Sequence, residues 1–327
     1  MRAADHRFSV APMMDGTDRH CRYFHRLLTK RARLYTEMIV ADAIVRGDAE
    51  RHLAFDPSEH PVALQLGGSD AKRLADAAKA GEDFGYDEAN LNVGCPSDRV
   101  QSGAFGACLM RTPTLVADCV AAMRAAVKIP VTVKCRIGVD DQDPNESLFG
   151  FVDEVARTGC DVFIVHARKA WLDGLSPKEN REIPPLDYDI VKRLKRERPG
   201  LTIILNGGVA SLDEAQGHLE AVDGVMLGRA AYNEPMMLAD VDERIFGEKP
   251  RAIAPEEAAR AMIPYVRRMA RQGVRSHHVT RHMLGLFHGR PGARAWRRAL
   301  SEYGASAGPD TLERALAMID AAPVAAG

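Results

Sequence analysis

Cysteine is scarce and scattered, with six residues in 327 (Cys21, Cys95, Cys108, Cys119, Cys135 and Cys160) and no C-x-x-C pair. That excludes a zinc site and a disulfide scaffold, so the thiols read as reduced and mostly as small core residues. Long apolar runs are missing too. Charge-free stretches such as Leu201 to Leu212 fall short of the roughly 20 residues a membrane helix needs. The opening MRAADHRFSV has no apolar signal core. A cytoplasmic protein without membrane contact is expected. No two glycines stand one residue apart, which removes the G-x-G-x-x-G turn of dinucleotide folds. No glycine precedes a lysine, which removes the phosphate loop of nucleoside triphosphatases. Asp140, Asp141 and Asp143 lack the glycine turn of a calcium loop, and no metal is expected.

Net charge is nearly absent, with Lys+Arg 44 against Asp+Glu 45, and 46% hydrophobic with 27% charged residues is a globular composition. The balance hides an asymmetry. Arg260, Arg267, Arg268, Arg271, Arg275, Arg281, Arg290, Arg294, Arg297 and Arg298 share a segment with no acidic residue. Its charge of +10, against a chain total of −1, leaves −11 elsewhere. Such segregation points to a polyanionic partner.

Short β-rich apolar runs recur with helical segments between them, the pattern of a parallel sheet covered by helices. They are Phe8 to Pro12, Leu34 to Thr36, Val62 to Leu66, Glu88 to Asn92, Val131 to Lys134, Val162 to His166, Thr202 to Asn206 and Gly224 to Leu227. Helix starts are marked by Thr112 with Pro113, and by Ser211 with Glu214, a capping box. Eight strands with helices between suit a closed (β/α)8 TIM barrel, an α/β fold usually of about 240 residues. After about Asp240 the strand signal gives way to Ala- and Arg-rich helices. The expected organisation is a barrel over residues 1–240 and a C-terminal helical domain over 241–327.

Barrel enzymes work at the C-terminal ends of their strands. There the sequence places Pro12-Met13-Met14, Gln65, Asn92 with Cys95, Lys134, His166, Asn206-Gly207-Gly208 and Gly228-Arg229. A lone strand-end histidine is ordinarily structural and a lone lysine solvated. One polar group at nearly every strand exit is hard to assign to packing. The last two strands of barrels commonly build a phosphate site. Gly207 and Gly208 permit close approach of backbone to ligand there, and Arg229 adds a fork for phosphate oxygens. Phosphate together with Gln65, Lys134 and His166 suits flavin mononucleotide (FMN), with Met13 and Met14 as polarizable surface under its ring. Cys95 stands in a turn between Gly94 and Pro96, just past a strand. An ordinary thiol, with a pKa near about 8.5, is mostly protonated at neutral pH and can act as a general acid. Residues Ala167 to Leu186 form a long polar loop, a functional lid by its length. Trp296, among arginines, is either a base-stacking platform or a core anchor.

At these residues the sequence resembles the tRNA-dihydrouridine synthases, and within them the A-type subfamily. The resemblance covers nearly the whole chain. It is carried by APMMDGTDRHCR, TEMI, ALQLGG, LNVGCPSDRVQSGAFGACLM, VTVKCRIG, HARKAWLDGLSPKENREIPPLDY, NGGV, GVMLGRAAY and RHMLGLFHGRPGARAWRR, in the family's order. It implies an FMN-dependent oxidoreductase on a TIM barrel with a helical tRNA-binding domain. That enzyme reduces uridine in the tRNA D-loop, at positions 20 and 20a, with NADPH as electron source and no obligate protein partner. The family's proton donor falls on Cys95, with Asn92 beside the target base. Its flavin contacts fall on Pro12, Met13, Met14, Gln65, Lys134, His166, Asn206, Gly207, Gly208, Gly228 and Arg229. Its tRNA contacts fall on Lys178, Arg181, Arg294 and Arg297. Two rivals share parts of this pattern. One is an FMN barrel acting on a small molecule, similar to dihydroorotate dehydrogenase, which leaves the basic segment without purpose. The other is a non-catalytic RNA-binding barrel, which predicts a colourless protein.

Overall fold

The computed structural model describes residues 6–97, 103–302 and 308–320. Eight parallel strands close into a barrel in chain order. They are β1 (Phe8–Val10), β2 (Arg33–Val40), β3 (Val62–Gly67), β4 (Glu88–Val93), β5 (Val131–Arg136), β6 (Val162–His166), β7 (Thr202–Asn206) and β8 (Gly224–Leu227). The barrel shuts where β8 pairs with β1, Val10 beside Leu227. All eight expected strands are present. β1 is shorter than its apolar run because proline has no N–H for the ladder: Ala11 makes the last bond, to the Leu227 carbonyl at 2.7 Å, and Pro12 cannot continue it. β2 runs on to Val40 through a register shift between Tyr35 and Met38.

Local chemistry sets the helices between strands. The Asp70 side chain accepts from the Arg73 amide to start Ala71–Phe84, and Gly85, at φ 97°, ends it. Pro113 opens Pro113–Ala126. At Leu212–His218, Ser211 Oγ accepts from the Glu214 amide at 3.1 Å, and Glu214 returns the bond to the Ala210 amide at 2.7 Å. The expected box is therefore reciprocal, shifted by one residue at its start. Alternate positions point inward, and Ala11, Tyr35, Ala63, Val162, Ile164, Ile204 and Met226 pack together in the core. Each large apolar side chain buried this way contributes roughly 1.5–3 kcal/mol.

The described residues fall into two compact units. One comprises the residues up to Asp15 with Ala32–Gly228, which is the barrel; the other comprises Gly16–Arg31 with the residues from Arg229 onward. The division therefore lies at Gly228, ahead of the expected residue 240. It also assigns the helix Arg19–Leu28 to the second unit, because that helix packs chiefly on the helices of that unit.

The second unit is helical. Its longest helix is Pro255–Arg271. Trp296 is fully buried, donates Nε1–H to the Met283 carbonyl at 2.8 Å and meets Phe287 edge-on, so it is the core anchor and not a stacking platform. Arg294, Arg297 and Arg298 are exposed on the helix Ala293–Glu302. Part of the segment's charge is compensated within this unit, since Arg267, Arg281 and Arg290 pair with Glu313, Asp18 and Glu256.

Candidate active site

The strands bring the expected polar residues to one end of the barrel in register. Asn92 pairs with Lys134 across β4 and β5, and Arg136, His166 and Asn206 stand side by side across β5, β6 and β7. Gln65, on β3, accepts at Oε1 from Asn92 Nδ2 at 2.8 Å.

Cys95 is half-buried on the loop after β4. Its position is set by Asn92, whose Oδ1 accepts from the amides of Gly94 at 3.0 Å and Cys95 at 2.9 Å. The Cys95 carbonyl accepts from the Ala107 amide at 2.9 Å. Gly94 is not the hinge its sequence context suggests: a Cβ there meets only ordinary contacts, the nearest at 3.5 Å. Among the described residues the thiol's hydrogen-bond contact is Ser97 Oγ, at 3.6 Å. Residues 98–102 of the cysteine motif lie outside the described residues.

Arg136, which the sequence reading did not single out, ties this loop to the long one after β6. Nε donates to the Gly94 carbonyl at 3.1 Å, and Nη1 donates to those of Lys169 at 3.2 Å and Asn180 at 3.0 Å. It is 3% exposed. Continuing the inward alternation Thr132, Lys134 by one step would have found it. The long loop is itself ordered by Asn180, whose side chain brackets Trp171, accepting from its amide at 2.7 Å and donating to its carbonyl at 2.9 Å. Lys178 and Arg181 are exposed on this loop.

The electrostatics are one-sided. Among the described residues, no carboxylate pairs with Lys134 or Arg136. Burial first, then the Arg136 charge, pushes Lys134 down to about 8, and burial pushes Arg136 down to about 10. Burial, followed by Arg136 and Lys134, holds the His166 imidazole well below its ordinary range, so it is neutral. Buried cations with no counter-ion among the described residues favour an anionic or electron-rich ligand at this end of the barrel. One consequence is measurable in the ligand-free protein. Lys134 binds its proton less tightly folded than unfolded, so between about 8 and 10.5 the unfolded chain carries more protons and stability rises with pH. Denaturant midpoints across that window should climb less in Lys134→Met; parallel pH profiles would contradict the assignment.

Gly207 and Gly208 are required as glycines. At φ 109° and 76°, a Cβ on Gly207 would meet His166 Cδ2 at 2.6 Å, and one on Gly208 would meet Leu186 Cδ1 at 2.5 Å. The Gly207 carbonyl accepts from the Tyr188 hydroxyl at 2.8 Å, and Asn206 Nδ2 donates to the Met226 carbonyl at 2.8 Å. Pro12 and Met13 are half-buried after β1, whereas Met14 is 59% exposed. Gly228 tolerates a Cβ, its nearest neighbours being Ala11 and the Met13 sulfur at 3.5 Å. Arg229, Arg294 and Arg297 belong to the second unit. No group of three metal-ligating side chains occurs among the described residues, and no helix there is long and apolar enough to cross a membrane.

A family model described as dihydrouridine synthase matches residues 9–322. The chain is 60% identical to a tRNA-dihydrouridine(20/20a) synthase of Escherichia coli strain K12 over 316 residues, 96% of this chain and 91% of that one. It is 58% identical to the Vibrio cholerae protein of the same name, over 96% of both chains, and 57% identical to that of Xanthomonas axonopodis pv. citri, over 97% and 95%. Among solved structures, an old yellow enzyme homologue from Zymomonas mobilis superposes with a TM-score of 0.53 at 13% identity, covering 77% of this chain and 91% of that one. The last likeness is one of fold.

Proposed function

The chain belongs to the dihydrouridine synthase family, and from that premise we propose that it reduces uridine to 5,6-dihydrouridine at positions 20 and 20a of the tRNA D-loop. In this reading FMN is the flavin and NADPH the electron source. The supporting observation is the placement of the Cys95 loop: Asn92 and Arg136 hold it at the barrel end that carries Lys134 and His166.

The residues fit a flavin. Gly207 and Gly208 let the loop after β7 lie against His166 and Leu186 where any side chain would clash, and no carboxylate among the described residues pairs with Lys134, which suits an electron-rich ring. Gln65, Asn206, His166, Met13 and Pro12 would complete its surroundings, with Met14, Gly228 and Arg229 further along the same chain segments. When bound, the flavin supplies hydride to carbon 6 of the uracil, the electrophilic end of its conjugated carbonyl. Charge then develops toward carbon 5, where Cys95 donates its proton. Lys134 stabilises negative charge beside it. Asn92 holds the Cys95 loop and contacts the base.

A base inside folded tRNA cannot reach this barrel end unless it is turned out of its stack, at a cost of a few kcal/mol. Phosphate contacts elsewhere offset that cost, and Lys178, Arg181, Arg294 and Arg297 are assigned to them. The helical unit is thus the tRNA-binding domain, and a tRNA substrate implies cytoplasmic work. The test is to purify the protein, record its visible spectrum and map dihydrouridine in tRNA from cells lacking it. A yellow protein and loss of the modification at positions 20 and 20a are expected. A colourless protein or unchanged tRNA would overturn the reading.

A further inference from the structure

The amides at the barrel end are joined to a buried carboxylate at the opposite end of the strands. The hydroxyls of Tyr35 and Thr132 both donate to Glu88 Oε1, each at 2.6 Å. Thr132 Oγ1 accepts from Asn90 Nδ2 at 2.8 Å, and Asn90 Oδ1 accepts from Gln65 Nε2 at 2.9 Å. Gln65 Oε1 accepts from Asn92 Nδ2, and Asn92 Oδ1 accepts from the Gly94 and Cys95 amides. Glu88, Asn90 and Thr132 are fully buried, and Gln65 nearly so.

A primary amide can be turned end for end wherever its neighbours allow. Here both termini forbid it. A carboxylate only accepts and a backbone N–H only donates, so every link between Glu88 and Cys95 must run in one direction. Arg33 Nη1 at 3.5 Å and His6 Nε2 at 3.7 Å flank the other carboxylate oxygen. The direction has a consequence at the barrel end. The Asn92 oxygen is spent on two backbone amides, which leaves that side chain one N–H with no acceptor among the described residues; Gln65 likewise keeps one on Nε2. Their complement is a ligand edge of acceptors, as on the carbonyls of a flavin or a uracil.

We propose that Glu88, acting through Thr132 and Asn90, is a positioning residue that holds Gln65 and Asn92 firmly in the one orientation the Gly94 and Cys95 amides also require, and so steadies the edges they present to the flavin and the base. This rests on the function proposed above. It assigns work to residues at the stability end of the barrel that touch no ligand themselves.

The test compares holoenzymes. Thr132→Val keeps the shape and cuts the link; Thr132→Ser restores it; Tyr35→Phe removes the other bond to the same Glu88 oxygen and leaves the relay whole. For Thr132→Val we expect a shifted visible flavin spectrum and kcat lower by at least about tenfold, with KM for tRNA within about twofold of wild type. Thr132→Ser and Tyr35→Phe should keep the wild-type spectrum and kcat. If the valine variant does not fold, Glu88→Gln, which adds a donor at the fixed end, should show the same slowing. A folded Thr132→Val at wild-type rate, equal losses in Thr132→Val and Tyr35→Phe, or a folded Thr132→Ser as slow as valine would overturn the relay alone. A wild-type protein that forms no dihydrouridine would overturn the underlying function as well.

Discussion

Cys95→Ala should lower the rate of uridine reduction by about 10²–10⁴-fold, the range expected for loss of a positioned general acid. Bound flavin and tRNA affinity should survive, because the loop is held by main-chain bonds that alanine keeps: the amide to Asn92, the carbonyl to Ala107. Among the described residues, the side chain contributes a contact with Ser97. Four of the other cysteines are held as weaker acids by burial. Burial raises Cys108, pushes Cys119 up to about 11 and pushes Cys135 and Cys160 up to about 12. A buried thiol at that level holds its proton far too tightly to deliver it to a carbon in each turnover. Serine at position 95 has the right shape but is a much weaker acid, so Cys95→Ser should resemble alanine. Single-turnover reduction of tRNA by pre-reduced enzyme isolates the step. Wild-type rates in Cys95→Ala would remove the proton-donor role and leave the flavin chemistry standing.

What the sequence made legible follows from which interactions leave a local trace. Parallel strands covered on both faces read as short apolar runs, so all eight were visible, and a polar residue at nearly every strand exit marked the barrel end where Lys134, Arg136 and His166 stand. The shift in β2 between Tyr35 and Met38 is a backbone irregularity with no compositional mark. Arg136 and Asn180 were missed because their work is to bond backbone carbonyls and amides of distant segments, which no motif encodes. Gly94 and Pro96 suggest the turn at Cys95 by composition, whereas Asn92, three residues earlier, holds it. The acidic partners of Arg267, Arg281 and Arg290 lie outside the basic segment, so its charge looked barer than it is.

Arg136→Met should cut turnover by about 100-fold or more, the penalty of misplacing a reacting group by an ångström, while changing stability far less. The two effects separate because they have different physical origins. Removing the guanidinium orphans three carbonyls, each costing roughly 1–3 kcal/mol if left dry. It also removes a buried cation that has no carboxylate partner among the described residues and whose burial opposes folding, as the downward push to about 10 records. The folding terms therefore partly cancel. The geometric one does not, since nothing else among the described bonds ties Gly94 to Lys169 and Asn180. Arg136→Lys should not rescue, because one ammonium cannot span carbonyls that the planar fork reaches from two nitrogens. Turnover and melting temperature measured on the same preparations decide it, and limited proteolysis adds a third readout: the loop from Ala167 to Leu186 should be cut faster in both variants. Arg136→Lys at full rate would show that charge, and not the strap, is what the site requires of this residue.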